Sequence, residues 1–165
     1  MPDIINISLE VVNKMISLID VTEDNFQTIC ALKVTEEQQG FLSSPTGILA
    51  RAYAKRNRNA RALAIADNET IIGVLMFMEL FEEPACYTIE QFLIDCRYQN
   101  KGFGKQALQL AIDILAGERK YESIEVCVKM ENLHAIRLFK SAGFKDTGYI
   151  DPSVPDSYCL LYNFE

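Results

Sequence analysis

The stretch that decides the fold runs Ile94-Asp95-Cys96-Arg97-Tyr98-Gln99-Asn100-Lys101-Gly102-Phe103-Gly104-Lys105. An apolar strand ends there, a short loop follows, and two closely spaced glycines open a helix. Glycine lets a ligand approach the backbone, and the first turn of a helix offers unpaired N–H groups at the positive end of its dipole. The stretch therefore predicts an anion site that suits a pyrophosphate, with a purely structural helix cap as the alternative.

Two other phosphate loops do not fit this stretch. A P-loop requires the string GxxxxGK[ST], which the sequence does not contain. A dinucleotide-binding fingerprint requires GxGxxG opening the first strand–helix unit, whereas here Gln106 and Ala107 stand where the third glycine should appear. The residues therefore point away from both kinds of nucleotide site.

The chain on either side of the loop predicts one domain with a mixed sheet. Its apolar and polar patterning gives the order β-α-α-β-β-β-α-β-α-β-β. The predicted strands cover residues 15–21, 62–67, 71–80, 86–95, 123–129, 145–150 and 157–164. Four helices are predicted. The first follows an N-cap at Thr22, the second spans 48–58, the third spans 102–116, and the fourth runs from a cap at Asn132 to Gly143. The expected class is α/β (α+β), with a mainly antiparallel sheet of six to seven strands and a parallel pair between 86 and 129.

Composition narrows the partners that the protein can have. The 165 residues include 16 basic and 23 acidic ones, giving a formal charge of −7. A nucleic-acid partner is not expected, because phosphate contacts need an excess of lysine and arginine. No run approaches ~20 apolar residues, so no membrane span is expected. The start Met-Pro-Asp carries no signal-peptide pattern, and we expect a cytoplasmic location.

Histidine and cysteine usage argues against metal chemistry. His134 is the one histidine in the sequence, so a histidine-rich metal site is excluded, and it receives no catalytic role here. The five cysteines are scattered without a CxxC pair, which argues against structural zinc and a disulfide scaffold. We therefore expect no metal and a reducing compartment. Residues 1–14 are weakly patterned and are expected to form an extra N-terminal arm, strand or short helix.

Two motifs together resemble those of the GNAT superfamily of acetyl-CoA-dependent N-acetyltransferases. The family's loop pattern Q/R-x-x-G-x-G/A is met by Gln99, Gly102 and Gly104. A second family segment, one strand later, is matched by Asn132, Ala135, Phe139 and the pair Gly143-Phe144. The resemblance covers about residues 15–164. It implies a GNAT-like sheet with a splayed parallel strand pair and helices on both faces.

The resemblance also assigns a site for acetyl-CoA. The pantetheine arm would lie in the slot between the splayed strands, bonded to their backbone like an added strand. The pyrophosphate would sit on the amides of residues 99–104, with two lysines adding positive charge. The residues that the resemblance assigns to the coenzyme are Phe92, Leu93, Ile94, Gln99, Asn100, Lys101, Gly102, Phe103, Gly104, Lys105, Asn132 and Phe139.

Glu90 is the candidate general base. Acetyl transfer needs a neutral amine, whereas an alkylamine has a pKa near about 10, so a base must remove a proton directly or through water. Glu90 lies inside an otherwise apolar strand just before the expected slot, where partial burial would favour such a base. The stretch resembles that of spermidine/spermine N-acetyltransferases, in which a glutamate here acts through water. An edge-strand or solvent-facing glutamate is the alternative.

Phe139 departs from the family pattern. The family commonly has a tyrosine there, thought to protonate the departing thiolate, and phenylalanine has no hydroxyl group. Either Tyr149, Tyr158 or Tyr162 substitutes, or no acid is needed, because a thiol of pKa near about 8.5 is already a tolerable leaving group. Because this hydroxyl is missing, a non-catalytic acyl-CoA-binding module is the alternative function.

The acceptor is predicted from charge. The acidic residues of the early loop and the central turn would suit a diamine or polyamine such as spermidine or spermine. Glu36, Glu37 and Glu82 are the predicted substrate-binding residues, with Glu79 and Glu83 beside the same central turn and Asp156 at the start of the last strand. The basic cluster from Arg51 to Arg61 is interpreted as a solvated helix face. Bacterial diamine acetyltransferases look similar; another small amine or antibiotic, or a protein amine, is the alternative. A homodimer through the last strands is expected slightly ahead of a strand buried in one subunit.

Overall fold

A seven-stranded sheet forms the framework of the computed structural model, which describes residues 15–165. The strands are β1 (Ile16–Asp20), β2 (Arg61–Asp67), β3 (Thr70–Leu80), β4 (Cys86–Ile94), β5 (Ser123–Lys129), β6 (Lys145–Asp146) and β7 (Ser157–Asn163). The helices are α1 (Phe26–Cys30), α2 (Glu36–Gln39), α3 (Pro45–Ala54), α4 (Phe103–Glu118) and α5 (Leu133–Ser141). The predicted arm over residues 1–14 lies outside the described part of the chain.

The sheet confirms the predicted class. Its strand order is β1-β2-β3-β4-β5-β7-β6, and every neighbouring pair is antiparallel except β4 and β5. The parallel ladder between β4 and β5 consists of two residue pairs, Tyr87 with Ile124 and Thr88 with Glu125. The two strands therefore separate beyond Thr88, as the resemblance implied.

Helices cover both faces of the sheet. One apolar cluster joins α4 and α5 to the sheet, with Ala107, Leu108 and Phe139 among its buried members. The other joins α1 and α3 to the opposite face, where Ile29 and Ile48 are fully buried. The apolar spacing of α4 explains this arrangement, since residues three and four apart share one side of a helix.

Two helix boundaries differ from the sequence prediction because local hydrogen bonds decide them. Asn25 accepts from the Thr22 amide, so a turn precedes α1, which begins at Phe26. The second predicted helix, expected over 48–58, starts at Pro45 because the Ser44 hydroxyl accepts from Gly47 and proline suits the first helical position.

The ends of two other elements also differ. α4 passes through Gly117, where the prediction ended it, and stops where Arg119 takes a left-handed conformation with φ of 53°. The strand expected over 145–150 is reduced to Lys145–Asp146, because the chain turns at Gly148, whose φ is +70°. In residues 15–165 no helix is long and apolar enough to cross a membrane.

Candidate active site

A β-bulge in β4 sets the direction of the side chains at the centre of the site. Met76 of β3 pairs with Gln91 and its neighbour Phe77 pairs with Ile89, so Glu90 is the extra residue. Glu90 and Gln91 consequently both reach toward the α3 side, while Phe92 packs with the α4 cluster. The bulge thus places a carboxylate on one side of the sheet and apolar side chains on the other.

A cleft of about 350 Å³ opens where β4 and β5 separate. Residues 89–94 of β4 form one wall, and residues 126–129 of β5 form the other. The start of α4 closes one end through Gly102, Gly104 and Lys105. The backbone groups that β4 directs toward β5 beyond Thr88 have no ladder partner in the described sheet, which leaves donors and acceptors available to a ligand.

The loop from β4 to α4 is built to present its amides to this cleft. Asp95 caps a short turn at Cys96–Tyr98 by accepting from the Arg97 amide at 3.0 Å. Gly102, at the N-cap of α4, has a φ of +83°, a conformation that favours glycine over any side chain. A Cβ added at Gly104 would meet cleft-lining side chains at 3.7–3.8 Å, so the missing side chain opens the cleft. The helix start is therefore accessible to an anionic group.

Asp95 anchors both the loop and the segment after α1. Its carboxylate is fully buried and accepts from the Arg97 guanidinium at 2.8 and 3.1 Å and from the Lys33 amide at 2.9 Å. Burial raises the pKa of this carboxyl, but these hydrogen bonds and the Arg97 charge outweigh it and lower the pKa to about 2. The Cys96 amide also donates to the Lys33 carbonyl at 2.7 Å, so the two segments are held together at two points.

Gln38 and Gln99 form a second connection across the site. Gln99 donates to the Gln38 side-chain oxygen at 2.8 Å, and Gln38 donates to the Gln99 side-chain oxygen at 3.0 Å. Gln99 also donates to the Ile94 carbonyl at 2.8 Å, at the end of β4. Both glutamines line the cleft, so this amide pair links α2 directly to the loop that opens α4. Gln38 was not predicted as a site residue from the sequence. The spacing of Thr35 and Gln38 matches the capping-box pattern, and the structure has this capping box at the start of α2.

The structure brings most of the predicted coenzyme residues to the cleft. Those that line it are Phe92, Leu93, Ile94, Gln99, Asn100, Gly102, Gly104, Lys105, Asn132 and Phe139. Lys101 is exposed and donates to the Arg97 carbonyl at 3.1 Å, and Phe103 is buried in the α4 cluster. Asn132 also caps α5 by accepting from the Ala135 amide. The role of these residues toward the coenzyme stays a prediction.

The carboxylates predicted to bind the acceptor are divided between the cleft and the surface. Glu90 lines the cleft with a side chain 20% exposed, whereas Glu36 and Glu37 are exposed on α2 outside its lining. Glu82 is exposed and pairs with Arg58 at 3.2 Å, also outside the cleft lining. Glu79 is buried against Lys120 at 2.6 Å in a different cavity. Their part in binding a substrate stays a prediction.

Glu90 has two cationic partners that the sequence did not reveal. Lys55 donates to Glu90 Oε2 at 2.9 Å, and Arg51 lies 3.7 Å from the same oxygen. Both belong to the cluster expected to form a solvated helix face; Arg51 is exposed as expected, but the two side chains also pair with Glu90. Both residues are 35 or more positions away from Glu90 in the sequence, so no local pattern could predict these ion pairs.

The substitutes for a tyrosine acid lie elsewhere. Phe139 is 4% exposed and packs edge-on against Phe92 and Phe144, with ring centroids 6.3 and 5.2 Å apart. Tyr149, Tyr158 and Tyr162 are not among the residues that line the cleft. His134, which was assigned no catalytic role, lines the cleft near the start of α5.

Comparison with known families decides the identity. The sequence model of the acetyltransferase (GNAT) family matches residues 17–144. The chain belongs to the GNAT family. As a GNAT protein it is an acetyl-CoA-dependent N-acetyltransferase. In residues 15–165 no cluster of histidine, cysteine, aspartate and glutamate is suited to hold a metal ion.

Individual relatives include polyamine acetyltransferases. The spermine/spermidine N(1)-acetyltransferase of Bacillus subtilis (strain 168) is 31% identical over 137 residues, covering 79% of this chain and 88% of that protein. The crystal structure of a spermidine N-acetyltransferase from Vibrio cholerae with CoA and spermine has a TM-score of 0.65 and 19% identity, covering 88% of this chain and 92% of that one. An aminoglycoside acetyltransferase with coenzyme A and kanamycin has a TM-score of 0.75 and 17% identity, covering 90% and 95%. These two structural similarities concern the fold.

The cleft fits an extended coenzyme with a phosphate group at one end. The unpaired backbone of β4 suits the amides of a pantetheine arm, since they form the hydrogen bonds that a further strand would form. The glycine-lined start of α4, with Lys105 beside it, suits the pyrophosphate. Glu90, at the bulge, lies on the side of the sheet opposite α4, where Lys55 donates to it.

Proposed function

We propose that this GNAT protein acetylates a primary amine of a diamine or polyamine, such as spermidine or spermine. The observation that carries the proposal is Glu90, the carboxylate that the bulge in β4 presents to the cleft. The similarity to the Bacillus subtilis spermine/spermidine acetyltransferase, which covers 79% of the chain, supports this class of acceptor. We further propose that this reaction takes place in the cytoplasm.

In this proposal the chain binds the coenzyme through backbone amides and through the shape of the cleft. Residues 99–104 supply amides at the start of α4, and Lys105 adds a positive charge at the cleft. Gln99 holds the loop in position through the Ile94 carbonyl and through Gln38. Acetyl-CoA supplies a thioester carbonyl carbon that a neutral amine can attack. The β4 wall orients it beside Glu90.

Glu90 is the proposed general base, acting through a water molecule. Its carboxylate is held by Lys55 and Arg51, which fix its orientation from the α3 side. An incoming ammonium group carries the same charge as Lys55 and can displace it from the carboxylate, so that a water molecule between the ammonium and Glu90 can relay the proton. The amine becomes nucleophilic once Glu90 has taken that proton.

The leaving thiolate needs no dedicated acid in this proposal. Phe139 packs among aromatic rings at the cleft and contributes shape alone. Coenzyme A leaves as a thiol of ordinary acidity, near a pKa of about 8.5, so protonation by solvent is adequate at neutral pH. Turnover without a tyrosine at this position is the expected consequence.

Glu125 is a proposed contact for the distal ammonium of the acceptor. It precedes the cleft-lining residues of β5 and is half-buried; within residues 15–165 it forms no ion pair. Burial, together with the charge of Asp151, raises the pKa of Glu125. A bound ammonium would offset both effects, which favours a second cationic group on the acceptor. Glu36 and Glu37, on the exposed side of α2, remain proposed contacts for the outer end of a longer polyamine.

An acceptor panel tests the proposal. Thiol release from acetyl-CoA is measured with spermidine, spermine, putrescine, an aminoglycoside and a lysine peptide. The highest kcat/KM is expected with spermidine or spermine. A preference for the aminoglycoside or the peptide would overturn the acceptor class. Coenzyme binding without thiol release for any amine would show a non-catalytic acyl-CoA-binding module instead.

The pH dependence of Glu90→Gln tests the base. Its rate should fall more at neutral pH than at about pH 9, because the fraction of free amine rises toward the amine pKa near about 10. Glu69→Gln, in the exposed turn between β2 and β3, is the control and should leave the profile unchanged. An equal loss at both pH values in the Glu90 variant would remove this carboxylate from proton transfer.

A further inference from the structure

Two cysteines face each other across neighbouring strands beside the cleft. Cys127 of β5 and Cys159 of β7 are register partners, and their sulfur atoms lie 3.4 Å apart. Both are free thiols in the structure. The reaction proposed above uses neither of them.

The backbone geometry at this pair suits a disulfide. The Cys159 carbonyl accepts from the amide and the hydroxyl of Thr147, on the side of β7 away from β5. In an antiparallel ladder, a residue directs its N–H and C=O to the same neighbour, so Cys127 and Cys159 form a non-hydrogen-bonded pair. The Cα atoms of such a pair lie about 4.5 Å apart, within the range that a disulfide can span.

The two thiols differ in access. Cys127 is exposed and lines the cleft, whereas Cys159 is 1% exposed beneath it. A small disulfide arriving from solvent therefore meets Cys127 first. A group attached to Cys127 would project into the space between β4 and β5, where the coenzyme arm binds.

We propose that Cys127 is a thiol-modification site in the cleft and that Cys159 is its resolving thiol. A low-molecular-weight disulfide such as glutathione disulfide reacts at Cys127. The cleft is then cleared by Cys159, which replaces the attached thiol with a bond between the two strands.

Each step balances as thiol–disulfide exchange. The Cys127 thiolate attacks one sulfur of glutathione disulfide, forms a mixed disulfide and releases one glutathione. Cys159 loses its proton, attacks the Cys127 sulfur and releases the second glutathione. Two protein thiols are oxidised to one disulfide, and one glutathione disulfide is reduced to two thiols.

The surroundings make the first step slow at neutral pH. Partial desolvation of the sulfur by the surrounding strands, the Cys159 thiol and the negative charges of Glu125 and Asp151 raise the pKa of Cys127, although the residue is exposed. The thiolate is the reacting species, so oxidation is to be measured at about pH 9, where more of it is present.

Mass spectrometry of the intact protein and its peptides tests the proposal. Wild type, Cys159→Ala and Cys127→Ser are incubated with glutathione disulfide until Cys96 is modified. Cys96 is exposed in the loop before α4 and acts as an internal control for exposure to the reagent. The wild type should show a peptide linked through Cys127 and Cys159. Cys159→Ala should keep glutathione on Cys127, and Cys127→Ser should leave Cys159 unmodified.

Coenzyme binding gives a second readout. The glutathione adduct of Cys159→Ala should bind CoA at least about tenfold more weakly, while the oxidised wild type should stay within about twofold. Dithiothreitol should restore the variant. A lasting glutathione adduct on Cys127 of the wild type, or an unmodified Cys127 in Cys159→Ala, would overturn the proposal. These mass measurements do not depend on acetyl transfer, so their failure is separate from failure of the proposed function.

Discussion

The Gly104→Ala substitution should weaken coenzyme binding without destabilising the fold. The added methyl group would lie 3.7 Å from Leu138 and 3.8 Å from Phe92 and Ile94, which is ordinary van der Waals distance. The protein itself can therefore accommodate it. All three neighbours line the cleft, so the methyl group would take space in the part of it that is proposed for the coenzyme.

The expected magnitudes follow from this geometry. Replacing glycine by alanine in a helix stabilises it by up to about 1 kcal/mol, which raises Tm by roughly 2–4 °C in a chain of this size. Forcing an extra methyl group into a packed contact costs about 1–3 kcal/mol, so the Kd for CoA should rise about 5- to 150-fold. The variant should thus be as stable as the wild type or slightly more stable, yet bind the coenzyme poorly.

Gly117→Ala is the matched control. Gly117 lies in the same helix with nothing within 4 Å of an added Cβ, and it is not at the cleft. Its Tm should rise in the same way and its Kd should not change. Calorimetric titration with CoA and thermal unfolding supply both quantities. A Gly104→Ala protein that binds CoA within about twofold of wild type would refute the assignment of this cleft to the coenzyme.

Three further predictions concern the supports of the site. In the folded protein the pKa of the Asp95 carboxyl is about 2, against an ordinary value of 3.8. The ionised carboxylate therefore stabilises the fold by about 2 kcal/mol above about pH 4, and this stabilisation is lost as pH falls through about 2. Asp95→Asn should flatten that part of the pH dependence of the free energy of unfolding, and an unchanged slope would contradict this reasoning. Gln38→Ala should raise the Kd for CoA about fivefold through the lost amide pair, measured by titration against the exposed control Gln39→Ala, and equal effects of the two would contradict it. Phe139→Tyr should change kcat less than about threefold, because the thiol leaves without an acid, whereas a rise above about tenfold in steady-state assays would show that protonation limits the reaction.

The parts of the molecule that the sequence predicted are those encoded by neighbouring residues. The glycines after Gln99 identify the start of α4 and the cleft beside it, since backbone conformation at Gly102 is a local property. The same holds for β5, whose alternating residues gave its limits correctly, and for Asn132 as the cap of α5. Fold class and family follow from these local signals and their order.

Contacts between residues far apart in the sequence could not be predicted. Lys55 and Glu90 are 35 positions apart, and Gln38 and Gln99 are 61 positions apart. The bulge at Glu90 was hidden for a related reason, because simple alternation along β4 would place Leu93, rather than Phe92, on the same side as Ile89. The partners of the proposed base therefore required the tertiary structure.

The brief ladder between β4 and β5 has a consequence for the cooperativity of unfolding. Two residue pairs join a block of four strands to a block of three, so the sheet is weakest along this line. A coenzyme that bonds to the β4 edge and rests against α5 connects the two blocks. At a hundredfold excess over its Kd, any such ligand stabilises the folded state by about 2.7 kcal/mol. Amide hydrogens of β4 and β5 should therefore exchange more slowly when CoA is bound, because the proposed position of the coenzyme would supply the connection that the short ladder lacks.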